Sequence, residues 1–166
     1  IIASFILCSF SINLSLANED LIFESSTIEL SENGNIIIAK DGVEITSKNN
    51  ELKIYSNQSK YSKISKQLFL TGDVIIFDKI KDLTIKSNQI QYDKSIELII
   101  SKVPTLINIG SDYSITTKNI IYSRLKNTFK SDRKTVLKDN FKNTVETNNF
   151  NYDINTKLFK SENLII

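Results

Sequence analysis

The chain of 166 residues contains no histidine, no tryptophan and no methionine, and its one cysteine is Cys8. Without histidine it cannot build a Ser-His-Asp or Cys-His catalytic set, and it lacks the usual general acid–base residue. The common zinc sites, which need several histidine or cysteine ligands, are excluded as well. We therefore expect no catalytic residue, no metal site and no cofactor, and we predict that the chain is not an enzyme.

The chain also has few glycines, a single proline and a small net charge. Four glycines are too few for a glycine-rich calcium-binding β-roll, and no glycine-rich phosphate-binding motif occurs. The single proline, Pro104, lies in a strand-like run and implies an edge, a bulge or a break, because it cannot donate to a β-ladder. A formal net charge of +2, with lysines and acids interspersed, gives no basis for nucleic-acid binding.

With histidine and cysteine catalysis excluded, a pair of carboxylates is the remaining candidate for a catalytic site, because two carboxylates suffice to hydrolyse a glycosidic bond. The candidates Asp73, Asp78, Asp82 and Asp93 stand at predicted turns, several of them beside lysines. Aspartates in turns are usually solvated, which favours a structural role. A carbohydrate-active β-solenoid enzyme is the alternative that this observation leaves.

Residues 1–17 carry no charge, and Ser15 and Ala17 place small side chains at the two positions that a signal peptidase reads. We interpret this segment as a secretory signal peptide whose basic start is missing. A buried N-terminal strand or a membrane anchor is the alternative. Residues 18–166 would then form one exported domain without cysteine. Because the chain ends within a repeat unit, we expect a domain truncated at its C-terminus.

The chain repeats itself with a period of about 30 residues, which indicates a repeat architecture. Four copies place an aliphatic residue seven positions before a tyrosine, with a serine or threonine two positions after the aliphatic residue. Leu21 to Leu30 resemble a degenerate first copy, in which Phe23 takes the place of the aliphatic residue. The aliphatic, hydroxyl and tyrosine residues of the four copies are Ile54, Ser56 and Tyr61; Ile85, Ser87 and Tyr92; Ile115, Thr117 and Tyr122; and Val145, Thr147 and Tyr152.

Alternation of polar residues with Ile, Val, Thr, Phe and Tyr predicts strands, and no window shows a helical stripe. The fold class is therefore all-β. Within each copy the apolar phase slips once, as between Ile85 and Ile90, so we predict a β-bulge or sharp bend at Ser87-Asn88 and its equivalents. On this interpretation the Ser/Thr-Asn pair shapes the backbone and carries no chemistry.

Alternation leaves one face of every predicted strand aliphatic. That face forms either a packed core or the lining of a lipid-binding trough between two sheets, and the sequence leaves both open. The residues predicted to line the interior and bind lipid are Ile36, Ile38, Val43, Ile45, Ile54, Leu68, Leu70, Val74, Ile76, Ile85, Leu98, Ile100, Ile107 and Ile109.

Residues 85–93 have the form I-x-S-N-x-I-x-Y-D, and residues 68–76 contain the step Gly72-Asp73-Val74, which Gly42-Val43 echoes. In these motifs the chain resembles the OstA-like family of lipopolysaccharide-transport proteins. The resemblance implies a twisted, open β-jelly roll of stacked antiparallel strands that holds the acyl chains of lipopolysaccharide inside.

The resemblance also implies partners and a location. We expect lipopolysaccharide as cargo, other OstA-like domains joined by edge-strand pairing at the open ends, no nucleic acid, and a periplasmic location. The soluble bridge type and the periplasmic N-terminal domain of the outer-membrane type both fit, and the second would precede an outer-membrane barrel. A structural or adhesive β-repeat protein with a packed core and no lipid cargo is the alternative.

Overall fold

A computed structural model describes residues 21–161 and 164–165, and the predicted signal peptide lies outside them. The described residues form fifteen strands, paired antiparallel in one open sheet, which confirms the all-β prediction. No helix in this part of the chain is long and apolar enough to cross a membrane. The strands are β1 Leu21–Ser31, β2 Ile36–Ser47, β3 Leu52–Ser62, β4 Gln67–Asp78, β5 Leu83–Asp93, β6 Leu98–Ser101, β7 Thr105–Ile109, β8 Tyr113–Thr117, β9 Ile120–Ser123, β10 Thr128–Ser131, β11 Thr135–Asp139, β12 Thr144–Thr147, β13 Phe150–Asp153, β14 Leu158–Lys160 and β15 Leu164–Ile165.

The sheet divides into two parts at β5. Residues 83–87 of this strand pair with β7, and residues 91–93 pair with β6. We call the first part layer A; it continues through β7, β8, β11, β12 and β15. The second part, layer B, continues through β6, β9, β10, β13 and β14. The long strands β1 to β5 contribute one half to each layer.

The two layers lie face to face. The β2 partners of Phe23 and Tyr61 are Ile45 and Ile37. Eight residues of flat strand would separate these partners by about 26 Å. The rings of Phe23 and Tyr61 are nevertheless in contact, with centroids 5.6 Å apart. The long strands therefore bend in the middle, and the sheet folds over and encloses one of its own faces.

The bends coincide with register shifts between neighbouring strands. Gly72 and Asp73 of β4 together stand opposite the single residue Asn88 of β5, and both have positive φ, 74° and 47°. The predicted bend at Ser87-Asn88 is confirmed. The extra residue of the bulge, however, lies on the neighbouring strand β4.

Asp41-Gly42 and Gly72-Asp73 are residue pairs typical of turns, but here they lie inside strands. The ladder resumes beyond each pair, so β2 and β4 are continuous through them. In the later units the bend becomes a true interruption. Pro104 lies between β6 and β7, which confirms the break predicted there, because a proline cannot donate to the ladder.

The enclosed face forms one core. Buried apolar residues of both layers make a single cluster. The central residues Ile85, Ile99, Ile107 and Ile115 have no exposed surface. A single sheet open to solvent on both faces cannot bury side chains this completely, so the opposing layer covers them.

We expect Gly72→Ala to destabilise the protein more than Gly42→Ala, although both glycines have positive φ. The left-handed backbone costs any L-residue about 1–2 kcal/mol at either site. A Cβ at Gly72 would in addition lie 2.5 Å from Nδ2 and 2.8 Å from Cβ of Asn57, whereas Gly42 has nothing within 4 Å. Overpacking should add a loss of about 1–3 kcal/mol in the free energy of unfolding, measured in urea. Equal losses for the two variants would contradict this bulge geometry.

Candidate functional site

The space between the two layers is the candidate site, because aliphatic side chains from both layers point into it. Most of the residues predicted from the sequence lie there. Those in the buried cluster are Val43, Ile45, Ile54, Leu68, Leu70, Val74, Ile76, Ile85 and Ile107, and Ile109 packs against the cluster while partly buried.

Four predicted residues face the other way. Each lies in a run of consecutive aliphatic residues whose middle member, Ile37 or Ile99, belongs to the core. Successive side chains of a strand point to opposite faces, so the flanking residues lie on the outer face of layer B. This corrects the interior placement of Ile38, Leu98 and Ile100, which are partly exposed, and of Ile36, which is buried but does not belong to the cluster between the layers.

Aromatic residues form more of the interior than the sequence suggested. The recurring tyrosines Tyr61, Tyr92, Tyr122 and Tyr152 are all buried in layer B. Tyr122 stacks on Phe129 with ring centroids 4.2 Å apart. The tyrosine of each repeat was the available signal, because it has the same inward phase in every copy. The wall of layer B is thus partly aromatic, whereas the predicted wall was aliphatic.

The two walls touch each other. Ile54, Ile85 and Ile107 have 0% exposed surface. Accessible surface includes the walls of internal voids, so these side chains border no void of the size of a water molecule. In this conformation the middle of the interior is filled by its own side chains. A guest chain can enter there only if the layers separate.

Hydroxyl side chains line the bend, which we call the crease. The hydroxyl oxygens of Ser87 and Ser101 are 2.9 Å apart, and Thr105 Oγ1 lies 2.8 Å from Ser101 Oγ. Thr105 Oγ1 also lies 2.9 Å from the Val103 carbonyl oxygen, and Ser87 donates to the Gln89 carbonyl at 3.3 Å. These hydroxyls bond carbonyl groups at the place where the ladder is interrupted.

The same cluster recurs one repeat later. Thr117 Oγ1 lies 2.9 Å from Ser131 Oγ and 2.8 Å from Thr135 Oγ1. In the last unit Thr147 bonds Ser161 and donates to the Asn149 carbonyl. These contacts agree with the interpretation that the Ser/Thr-Asn pair shapes the backbone and carries no chemistry. Their partners Ser101, Thr105, Ser131 and Thr135 were not singled out from the sequence.

A buried ion cluster lies on the side of the layers opposite to the crease. Arg124 follows β9 in layer B, and its Nε donates to Oδ2 of Asp78, at the end of β4 in layer A, at 2.8 Å. Its Nη1 also donates to Glu97. Glu97 accepts two further bonds, both of 2.7 Å, from the Tyr92 hydroxyl and from Lys94 Nζ.

Asp78 corrects the expectation of a solvated turn aspartate, because its side chain is only 1% exposed. Burial alone would raise the pKa of Glu97, but the bonds from Lys94 and Tyr92 and the charge of Arg124 outweigh it and lower that pKa. A carboxyl with a lowered pKa is not suited to be the general acid of a glycosidase. The pair Asp78 and Glu97, bridged by Arg124, therefore has the character of a structural ion cluster. Within the described ranges no group of three metal-ligating side chains comes together.

Comparisons with known proteins do not assign the chain to a family. No family model and no curated protein matches the chain. Among solved structures, it is similar to LptH, "the LptA homologous periplasmic component of the conserved lipopolysaccharide transport device from Pseudomonas aeruginosa". The identity is 11%, the match covers 88% of this chain and 94% of that one, and the TM-score is 0.35. At these values the likeness establishes neither the fold nor the function of this chain.

We expect Thr117→Val to lower the free energy of unfolding by about 1–3 kcal/mol, because it leaves buried hydrogen-bonding groups without a partner. Thr117 is 3% exposed and contacts Ser131 and Thr135. Thr116→Val is the matched control, since Thr116 is exposed on the outer face of the same strand, and its effect should stay within about 0.5 kcal/mol. Urea unfolding of both variants measures the difference. If both variants unfold like the wild type, the hydroxyl cluster does not stabilise the crease.

Proposed function

We propose that the chain is a periplasmic lipopolysaccharide-binding bridge domain that holds acyl chains between its two layers and passes lipopolysaccharide towards the outer membrane. The observation that carries the proposal is the single apolar cluster that extends through both layers. A molecule with several acyl chains needs such an apolar path when it crosses an aqueous space. Each methylene taken out of water contributes about 0.8 kcal/mol, so an inserted chain can offset contacts that the separating layers lose.

The ends of the sheet supply the surfaces for neighbouring domains. Among the residues that the structure describes, β1 pairs only with β2, and β14 pairs only with β13. The free backbone groups of an edge strand are a template for adding another strand. We propose that other OstA-like domains join at these edges and continue the interior from one domain to the next.

Two types of bridge domain fit this proposal. One is LptA, a soluble protein, and the other is the N-terminal domain of LptD, whose partner within the same chain is an outer-membrane barrel. The proposed signal peptide would deliver either type to the periplasm, and the LptD type would be associated with the outer membrane.

A second function is favoured by the filled middle of the interior. Side chains such as Ile85 and Ile107 have no exposed surface, as in an ordinary packed core. A structural or adhesive β-repeat protein would have this core and would bind no lipid. The two functions differ in whether the layers separate to admit a guest.

Photo-crosslinking distinguishes the two functions. We expect p-benzoylphenylalanine at Ile54 or Ile85 to crosslink to lipopolysaccharide, because both side chains point between the layers. At Lys53 and Lys86, the preceding or following residues of the same strands, the outward direction should give little crosslinking. Equal crosslinking from both faces would contradict the proposal.

A further reporter at the exposed Ser26 of β1 should crosslink to a second protein chain if this edge is a docking edge.

The bulky reporter could disturb the packed core, so folding of each variant is checked by circular dichroism. Native mass spectrometry of the wild-type chain with lipopolysaccharide provides the measurement that needs no substitution. A bound lipid mass supports the bridge domain. A folded wild-type chain that retains no lipid supports the packed-core protein.

A further inference from the structure

We propose that Arg124 is a latch that holds the free sides of the two layers together, and that the cleft it closes is the lateral entrance for an acyl chain. The identity of the cargo rests on the proposed function, whereas the latch itself rests on the geometry of the layers. The free side, which we call the seam, is formed by turns 48–51, 79–82 and 110–112 of layer A on one side and turns 94–97, 124–127 and 154–157 of layer B on the other.

The seam differs from the crease in how it is held. At the crease the backbone of each long strand passes from one layer to the other. At the seam each row of turns is bonded within its own layer, as shown by the 2.9 Å bond from Lys79 N to Glu51 O in layer A. In layer B the bond from Arg124 N to Glu97 O, also 2.9 Å, likewise joins two turns of the same layer. Side chains must therefore supply the contacts between the two rows.

The bond from Arg124 to Asp78 crosses the seam. Asp78 pairs with Leu83 at one end of β5, and Arg124 follows Ser123, whose neighbour Leu98 pairs with Asp93 at the other end. Ten residues of flat strand would place these two ends about 33 Å apart. In the folded sheet, however, Arg124 Nε lies 2.8 Å from Asp78 Oδ2. The pair thus closes the open side of the folded sheet.

Burial makes this pair the strong contact of the seam. The side chains of Arg124 and Asp78 are 14% and 1% exposed. A second pair crosses the seam between Lys157 and Asp112, but it is 3.8 Å long and its side chains are 70% and 54% exposed. Exposed pairs of this kind contribute little to stability.

The cluster also allows the latch to open. A guanidinium group has five donors, and Arg124 already bonds Glu97 within its own layer. If Asp78 moves away, Arg124 keeps this second carboxylate partner. Asp78 keeps the bond from Lys81 N, 3.3 Å long and within layer A, and gains water in the opened seam. Neither charge is left buried without a partner, which is the situation that makes broken ion pairs costly.

A cleft of about 340 Å³ lies over this cluster, and both rows of turns line it. Ile80 and Lys81 line it from layer A, and Glu97 and Leu125 from layer B. Ile80 and Leu125 are 60% and 70% exposed. The cleft thus carries two exposed apolar side chains among polar neighbours such as Asn49 and Glu51, its floor is ionic, and the buried Tyr92 also lines it. Separation of Arg124 from Asp78 would extend the cleft into the interior.

Two spin labels across the cleft test the latch without any lipid. They are attached to Ile80→Cys and Leu125→Cys in a Cys8→Ser background, and their distance is measured by pulsed electron paramagnetic resonance. We expect Arg124→Gln to give a longer and broader distance distribution than the wild type. Arg133→Gln is the matched control, because Arg133 is 66% exposed and reaches only Asp132, at 3.7 Å. An unchanged distribution in a folded Arg124→Gln protein would overturn the latch.

A reversible lock tests the entrance and does not depend on the folding of the Arg124 variant. A short bis-methanethiosulfonate crosslinker joins Ile80→Cys to Leu125→Cys through two disulfide bonds, with methanesulfinate as the leaving group, and a reductant cleaves these disulfides. We expect the locked chain to take up lipopolysaccharide several times more slowly than the released chain. Equal uptake rates would overturn the seam as the entrance, since the lipid would then enter at the ends of the sheet. If the released chain takes up no lipid at all, the proposed cargo is wrong, and the spin-label distances still decide the latch.

Discussion

The fold depends on satisfying the backbone at the crease. A strand that bends sharply interrupts its ladder, and backbone carbonyl groups at the bend lose their ladder partners. Such a bend therefore needs hydrogen-bond donors close by. The hydroxyls of Ser87 and Thr105, and of Ser131 and Thr135 in the next unit, donate to carbonyl groups there. The repeat of about 30 residues is the spacing that brings one such donor set to each rung of the folded sheet.

The crease makes the two sides of the molecule unequal. On the crease side the layers are joined by continuous strands and by buried hydroxyl bonds. On the seam side they are held by side chains, with Arg124 and Asp78 as the buried pair. Any separation of the layers must therefore occur at the seam while the crease acts as the hinge. This asymmetry reconciles an interior filled by its own side chains with the proposed binding of acyl chains.

The sequence predicted the features that repeat and missed those that depend on phase or on long-range contacts. The all-β fold and the bend at Ser87-Asn88 follow from alternation and its periodic slip. The run from Ile36 to Ile38 did not reveal its phase, because three consecutive isoleucines fit either face until Tyr61 is known to pair with Ile37. The sequence did not reveal the burial of Asp78 either. Its partner Arg124 lies 46 residues away, and only the folding of the sheet brings them together.

The central claim is that acyl chains lie between the two layers. Nuclear Overhauser effects between lipid methylenes and isoleucine methyl groups test it directly in the unsubstituted protein. With deuterated protein and protonated isoleucine methyls, the account predicts effects from the acyl chains of lipopolysaccharide to Ile85 and Ile107, which lie inside. It predicts none to Ile75 and Ile121, which lie outside. Effects confined to the outer methyls, or none at saturating lipid, would contradict it.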